Sequence, residues 1–272
     1  MSILIIGSTG MLGNTLKKYL TKINIDFKTL DRKDLDLSKC GFDIVKEKII
    51  QSGCNVVVNC AGIVKQRKNT STADFIHVNS LIPHWISDIC EKQDMKMIHI
   101  TTDCVFDGKI GDYKESDVHS VYDDYGRSKS MGEPKNCTVI RTSIIGEEEE
   151  NKLSLLEWVK SNKGNEIDGY KNHLWNGLTC LQLSKLMKYI IDNDLYWNGV
   201  KHIFSNQVNK YDLVKMINEI YELDIKIHPT NGSTLVNRTL DTVYDIDIFN
   251  IPNLGKQIKE TKDFHNNIKM RN

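Results

Sequence analysis

Ile3-Leu4-Ile5-Ile6-Gly7-Ser8-Thr9-Gly10-Met11-Leu12-Gly13 passes from four apolar residues, through glycines spaced three apart, into the amphipathic stretch Met11 to Leu20. A short apolar run reads as a buried strand, and the periodic stretch after it as a helix. Glycines at such a strand-to-helix junction permit a tight turn and close backbone approach to a pyrophosphate. The helix N-terminus adds free N–H groups and a favourable dipole. Gly7, Thr9, Gly10, Met11, Leu12 and Gly13 are therefore candidate dinucleotide-binding residues, at a spacing of G-x-x-G-x-x-G instead of G-x-G-x-x-G.

Working outward, short apolar runs alternate with longer amphipathic ones. Strands are expected at Phe27 to Leu30, Asn55 to Cys60, Met97 to Thr101 and Thr138 to Thr142. Helices are expected at Phe42 to Ser52, Phe75 to Lys92 and Tyr122 to Glu133, with Pro83 marking a kink or an early boundary in the second of these. Regular β/α alternation implies a parallel sheet covered on both faces. After Gly146 the pattern loosens: helices at Leu153 to Lys160, Leu181 to Asp192 and Tyr211 to Tyr221, a strand at Lys201 to Phe204, and an acidic run, Glu147 to Glu150, read as a solvated loop. The expected fold is α/β, a Rossmann-type doubly wound parallel sheet with a smaller C-terminal mixed α/β lobe that binds substrate. Residues 1–146 form the dinucleotide-binding domain, joined by returning segments near 175–200 and 235–250, and 147–272 form mainly the second lobe, with a cleft between them.

Composition narrows the partners. The chain has 272 residues, 40% hydrophobic and 26% charged, which suits an ordinary globular protein. Its 36 basic and 36 acidic residues cancel, so no overall field draws it to nucleic acid or an anionic membrane. The apolar opening is too short for a signal peptide or a membrane span, and a cytoplasmic location is expected. Seven scattered cysteines without a C-x-x-C pair suit reduced thiols, with neither disulfide nor metal site.

Tyr125-Gly126-Arg127-Ser128-Lys129 puts a phenol and an ammonium on one helix face, where the lysine can lower the tyrosine's pKa toward proton transfer near neutrality. At the end of the second strand the cues conflict. Asp31 would accept hydrogen bonds from a ribose 2′-OH and favour NAD, whereas Arg32 would pair with a 2′-phosphate and favour NADP.

Taken in order, Gly7 to Gly13, Leu30 to Leu37, Asn59-Cys60-Ala61-Gly62, Val78 to Pro83, Thr101 to Gly108, Tyr125 to Glu133 and Arg141-Thr142-Ser143 resemble the extended short-chain dehydrogenase/reductases, and within them the dTDP-4-dehydrorhamnose reductase group. The resemblance implies NADPH as cofactor, through Arg32, with NADH as the alternative. It places Asp36 and Leu37 beside the adenine, Cys60, Ala61 and Gly62 against the ribose, and Asn79 behind the active site. It makes Thr102, Tyr125 and Lys129 the catalytic trio for reducing a nucleotide-linked 4-keto-6-deoxyhexose, with Tyr125 and Lys129 also touching cofactor. Asp103, Cys104, Phe106, Ile144, Asn176 and Arg238 are implied to face the sugar nucleotide.

Where the family has Thr-Asp-Tyr and Arg-Thr-Ser-Trp, this chain has Cys104 and Ile144. The pocket is thus expected to be roomier, suited to a bulkier substituent such as a 2-acetamido group on a UDP carrier. The alternatives are a nucleotide-sugar epimerase or dehydratase of the same fold and a regulatory subunit without turnover. Expected partners are the nucleotide sugar and a second copy of the chain in a homodimer, with no nucleic acid and no membrane.

Overall fold

The computed structural model describes residues 2–67, 69–150 and 152–269. Its frame is a six-stranded, all-parallel sheet. In chain order it contains β1 (Ile3–Ile6), α1 (Met11–Lys22), β2 (Phe27–Leu30), α2 (Phe42–Ser52), β3 (Val56–Asn59), α3 (Thr72–Phe75), α4 (Ile82–Lys92), β4 (Lys96–Thr102), α5 (Asp124–Met131) and β5 (Thr138–Thr142). The sheet order, with β10 (Gly199–His202), is β10-β5-β4-β3-β1-β2. The order reverses between β1 and β3, and such a switch opens a crevice at the carboxyl ends of the strands.

The period-2 pattern of each strand explains the two layers. Ile3, Ile5, Val56, Val58, Ile98 and Ile100 join one core with Leu12, Leu16 and Leu20 of α1. Leu4, Ile6, Val57 and Met97 point to the other face, where Val45 and Ile49 of α2 and Ile82, Ile86 and Ile89 of α4 cover them. β1 and β3 are covered on both faces, so Ile3 to Ile6 and Val56 to Val58 are continuously apolar.

The second lobe is assembled from short pieces. β6 (Ile144–Ile145) pairs with β9 (Leu178–Thr179), and β7 (Glu166–Tyr170) with β12 (Lys226–Thr230). β8 (His173–Trp175) lies between β11 (Val208–Asn209) and β13 (Val236–Asn237). Helices α6 (Leu155–Ser161), α8 (Lys210–Tyr221) and α9 (Leu254–Lys269) surround a core of Leu156, Ile167, Trp175, Leu213, Ile217 and Leu254. α7 (Cys180–Asp192) instead lies on α1, through Leu183, Leu186, Met187 and Ile190.

Two expectations are refined. Pro83 stands at a boundary within a continuing helical stretch: residues 76–81 form a wider π-helical segment between α3 and α4, and Pro83 sits in the first turn of α4. The wider turn accommodates a residue that lacks an N–H and crowds the preceding turn. The acidic run is also more than a solvated loop. Glu148 accepts hydrogen bonds from the Leu153 and Ser154 amides (2.5 and 2.9 Å), Glu147 faces Lys160 (3.4 Å), and Glu149 binds Asn14 (3.0 Å) and Lys18 of α1. All seven cysteines are free thiols.

Candidate active site

The glycine turn packs too tightly for larger residues. Gly7 takes φ +82°, and a Cβ on Gly13 would lie 2.2 Å from the Gly7 carbonyl oxygen. No side chain caps the N-terminus of α1 at Gly10, so its N–H groups face outward without an internal acceptor from a cap. Thr9 and Gly10 are exposed beside it, while Leu12 turns into the core and Met11 packs against it. At the β2 end, Asp31 is occupied locally, its carboxylate accepting from the Lys33 and Asp34 amides (2.7 and 3.3 Å). Arg32 reaches Asp36 (3.6 Å) and stays more than half exposed, while Asp36 also holds Ser38. Leu37 packs at the edge of the β1–β3 core.

A second group of residues closes on the ends of β3 and β4. Asn79, fully buried in the π-helical segment, accepts from the Ile63 amide (2.8 Å) and donates to the Ile63 carbonyl (3.0 Å) and to the Ser128 hydroxyl (3.2 Å). It fastens the loop after Cys60-Ala61-Gly62 to α5. Asp123 caps α5 through the Gly126 amide (2.9 Å), which starts the helix two residues later than Tyr122. A Cβ on Gly126 would meet the Cys104 carbonyl oxygen at 2.4 Å, so Gly126 lets α5 press against the turn after β4.

That pressing brings Thr102, Tyr125 and Lys129 to one place. The Thr102 hydroxyl accepts from the Cys104 amide (3.1 Å) and donates to Asp103 (3.0 Å). The Lys129 ammonium lies near Gly62, where an added Cβ would be 3.1 Å from Nζ, and 3.4 Å from the Ile100 carbonyl. Burial brings Lys129 down to about 8, opposed by the charges of Glu133 and Cys60.

Tyr125 departs from the sequence expectation. Burial pushes its phenol above the ordinary value, the Cys104 and Asp103 charges add to this, and hydrogen bonding with Thr102 opposes it. Desolvation dominates, and the Lys129 ammonium is aimed at Ile100 and Gly62. The ring itself is half-buried and meets Phe75 edge-on. Nearby, burial pushes the Cys60 and Cys104 thiols up to about 12, and it raises Asp103 as well, against the charges of Arg238 and Lys210.

Two of the six expected sugar-facing residues are spent elsewhere. Phe106 is fully buried, stacked on Tyr113 (4.2 Å between ring centres), and so supports the loop from inside instead of lining the cleft. Asn176 commits its whole side-chain amide to the Leu240 backbone, donating at 2.7 Å and accepting at 3.0 Å. Arg238 donates to the Phe106 carbonyl (2.9 Å) and tethers the loop that carries Asp103 and Cys104. Ile144 on β6 is half-buried, as are Cys60 and Cys104.

Lys210, Trp175 and Ser143 were not legible as site residues. Ser143 hydrogen-bonds Asp103. Lys210, the first residue of α8, lies 5.1 Å over the Trp175 ring, and its charge acts on Asp103. The one sequence signal was Asn209 with Asp212 three residues on, a helix-start pattern that places Lys210 in the first turn without saying where it points. Among the described residues, no group of His, Cys, Asp and Glu is arranged to hold a metal ion, and no helix is long and apolar enough to cross a membrane.

Known proteins resemble this chain in sequence and in fold. The family described as RmlD substrate binding domain matches residues 1–238. A dTDP-4-keto-6-deoxy-D-glucose reductase of Streptomyces niveus is 26% identical over 227 residues, 78% of this chain and 76% of its own length. A dTDP-4-dehydrorhamnose reductase of Aggregatibacter actinomycetemcomitans is 30% identical over 153 residues; the match spans 53% of this chain and about half (49%) of that relative. Among solved structures, a dTDP-4-dehydrorhamnose reductase of Bacillus anthracis str. Ames in complex with NADP superposes with TM-score 0.80 at 17% identity, covering 96% of this chain and 98% of the other.

Proposed function

This chain belongs to the RmlD substrate binding domain family, and from that premise we propose that it is an NADPH-dependent reductase of a nucleotide-linked 4-keto-6-deoxyhexose. The observation that carries the reading is the convergence of Thr102, Tyr125 and Lys129 at the carboxyl ends of the strands, beside a glycine turn shaped for a pyrophosphate. The relatives' names and the NADP in the Bacillus anthracis structure support both substrate class and cofactor. Gly7, Gly10 and Gly13 would hold the pyrophosphate, Arg32 the 2′-phosphate, and Gly62 with Lys129 the nicotinamide ribose. When bound, a reduced nicotinamide supplies a hydride to the ketone carbon.

The residues of this chain manage the proton. Burial keeps Tyr125 protonated at neutral pH, so its O–H is available to the alkoxide oxygen as that oxygen gains charge. Thr102 is fixed in position by the Cys104 amide, and its hydroxyl rotates from Asp103 to donate a second hydrogen bond to the same oxygen. Lys129, positively charged below about pH 8, opposes the negative charge left on Tyr125.

Cys104 and Ile144 stand where the family's aromatic residues would narrow the pocket, and they support a hexose with a 2-acetamido group on a UDP carrier. A panel of UDP- and dTDP-linked 4-keto sugars, with and without that group, tests both levels by loss of NADPH absorbance. The expected outcome is fastest turnover of the UDP-linked acetamido sugar. Turnover of the plain sugars alone would remove the acetamido reading and leave the reductase; turnover of none would remove both.

A further inference from the structure

α8 begins at the cleft because of how its preceding strand pairs. Val208 and Asn209 lie antiparallel to Trp175 and Leu174, and the Asn209 side chain caps the helix through the Asp212 amide (2.8 Å). Lys210 therefore leaves the strand at the level of Trp175, and its ammonium rests 5.1 Å from the centre of that ring. Trp175 is buried, and Asn176 after it is locked to Leu240. Arg238, two residues before Leu240, is in turn bonded to the loop after Asp103. Lys210 thus rests on a wall tied to the catalytic loop, and its charge reaches Asp103 and Cys104.

Its surroundings are those of a binding group with unused capacity. Asp103 and Cys104 are the charged or ionisable groups that act on it, and among the described residues no hydrogen bond or salt bridge occupies its three N–H donors. Burial lowers its affinity for a proton, and Asp103 opposes this. A half-buried ammonium over an aromatic ring, beside a carboxylate, is suited to donate to a neutral oxygen brought between them.

Which oxygen follows from the chemistry of the proposed substrate. Thr102 addresses the oxygen on C4, and Asp103 is one hydrogen bond (3.0 Å) beyond Thr102. Of the two ring carbons flanking C4, C5 bears the ring oxygen and the methyl group, so C3 alone carries an exocyclic hydroxyl. That hydroxyl can donate to Asp103 and accept from Lys210 at the same time. We propose that Lys210 is a specificity-determining residue that reads the C3 hydroxyl of the 4-keto hexose from the second lobe, in concert with Asp103. The inference rests on the reductase reading, and it commits Lys210 to binding rather than to proton transfer.

The test compares Lys210→Met with wild type on UDP- and dTDP-linked 4-keto-6-deoxyhexoses and on their 3-deoxy counterparts. Wild type is expected to favour the 3-hydroxy sugar by about 30-fold or more in kcat/KM, as sites built around a substrate hydroxyl do. In Lys210→Met that preference falls to about threefold or less, mainly through KM, while NADPH affinity is unchanged. Lys210→Arg, which keeps a cationic donor, retains the preference and serves if the methionine variant folds poorly. Equal losses on both sugars, or a preference that survives Lys210→Met, would overturn the role of Lys210 alone. A wild type that binds NADPH but reduces neither sugar would overturn the reductase reading itself.

Discussion

The two walls of the cleft are made differently. The sheet wall is built from consecutive residues whose roles are set by backbone: Gly7 to Gly13 in one turn, Cys60 to Gly62 in one loop, Tyr125 and Lys129 on one helix. The second-lobe wall is built from side chains brought together over long separations: Trp175 from β8, Lys210 from α8 and Arg238 after β13. Under the proposed function the first wall would hold the dinucleotide and the carbonyl, which all substrates share, and the second would meet the sugar, which varies. A wall set by backbone tolerates no added atom, whereas a wall set by side chains can change its selectivity without changing its fold.

The same substitution placed in each region breaks or sharpens that contrast. Gly13→Ala puts a Cβ 2.2 Å from a backbone oxygen that cannot yield. It is expected to destabilise the protein by about 1–3 kcal/mol and to weaken NADPH binding by about tenfold or more. Gly255→Ala, in the first turn of α9, meets nothing closer than 3.6 Å. It is expected to leave NADPH affinity unchanged and to raise stability by a few tenths to about 1 kcal/mol. Thermal melts with cofactor titrations decide the matter, and equal effects at the two positions would contradict it.

A smaller effect concerns pH. Burial lowers Lys129 to about 8, so its ammonium is fully present below that pH and is lost as pH rises through it. With substrate saturating, kcat/KM for NADPH is expected to fall by up to about tenfold per pH unit above 8, since this parameter reports the free enzyme. A tyrosine titrating near neutrality would also lose activity as pH rises, but burial holds the Tyr125 phenol up, so Lys129 is the group expected to set this limb. A flat profile to pH 9.5 would count against Lys129 as the charged partner.

Legibility followed the same division. The buried strands were readable because Ile3 to Ile6 and Val56 to Val58 are apolar on both faces and are followed by periodic helices. The glycine turn was readable because steric demand at Gly13 leaves one residue type. Pro83 was read as a kink or an early boundary, and α4 does begin beside it, but nothing in sequence announces the π-helical segment before it. Phe106 and Asn176 were assigned to the sugar through the family resemblance of their segments, but the stacking of Phe106 on Tyr113 and the Asn176–Leu240 bonds are tertiary facts. α9 went unread because Leu254, Ile258 and Phe264 are sparse apolar positions among lysines and asparagines. Lys210 was hidden for a related reason: a lysine in a first helical turn usually faces water, and only the β11–β8 pairing turns this one inward.

The central claim is net reduction with Tyr125 as the proton donor, and transfer of label tests it most directly. With NADPH deuterated at the transferable position and a nucleotide-linked 4-keto-6-deoxyhexose, the account predicts one deuterium on C4 of the released sugar. It also predicts a rate lower by about 10²–10⁴-fold in Tyr125→Phe. A rearranged sugar released without label, as from an epimerase or dehydratase that returns its hydride, or an undiminished rate in Tyr125→Phe, would contradict it.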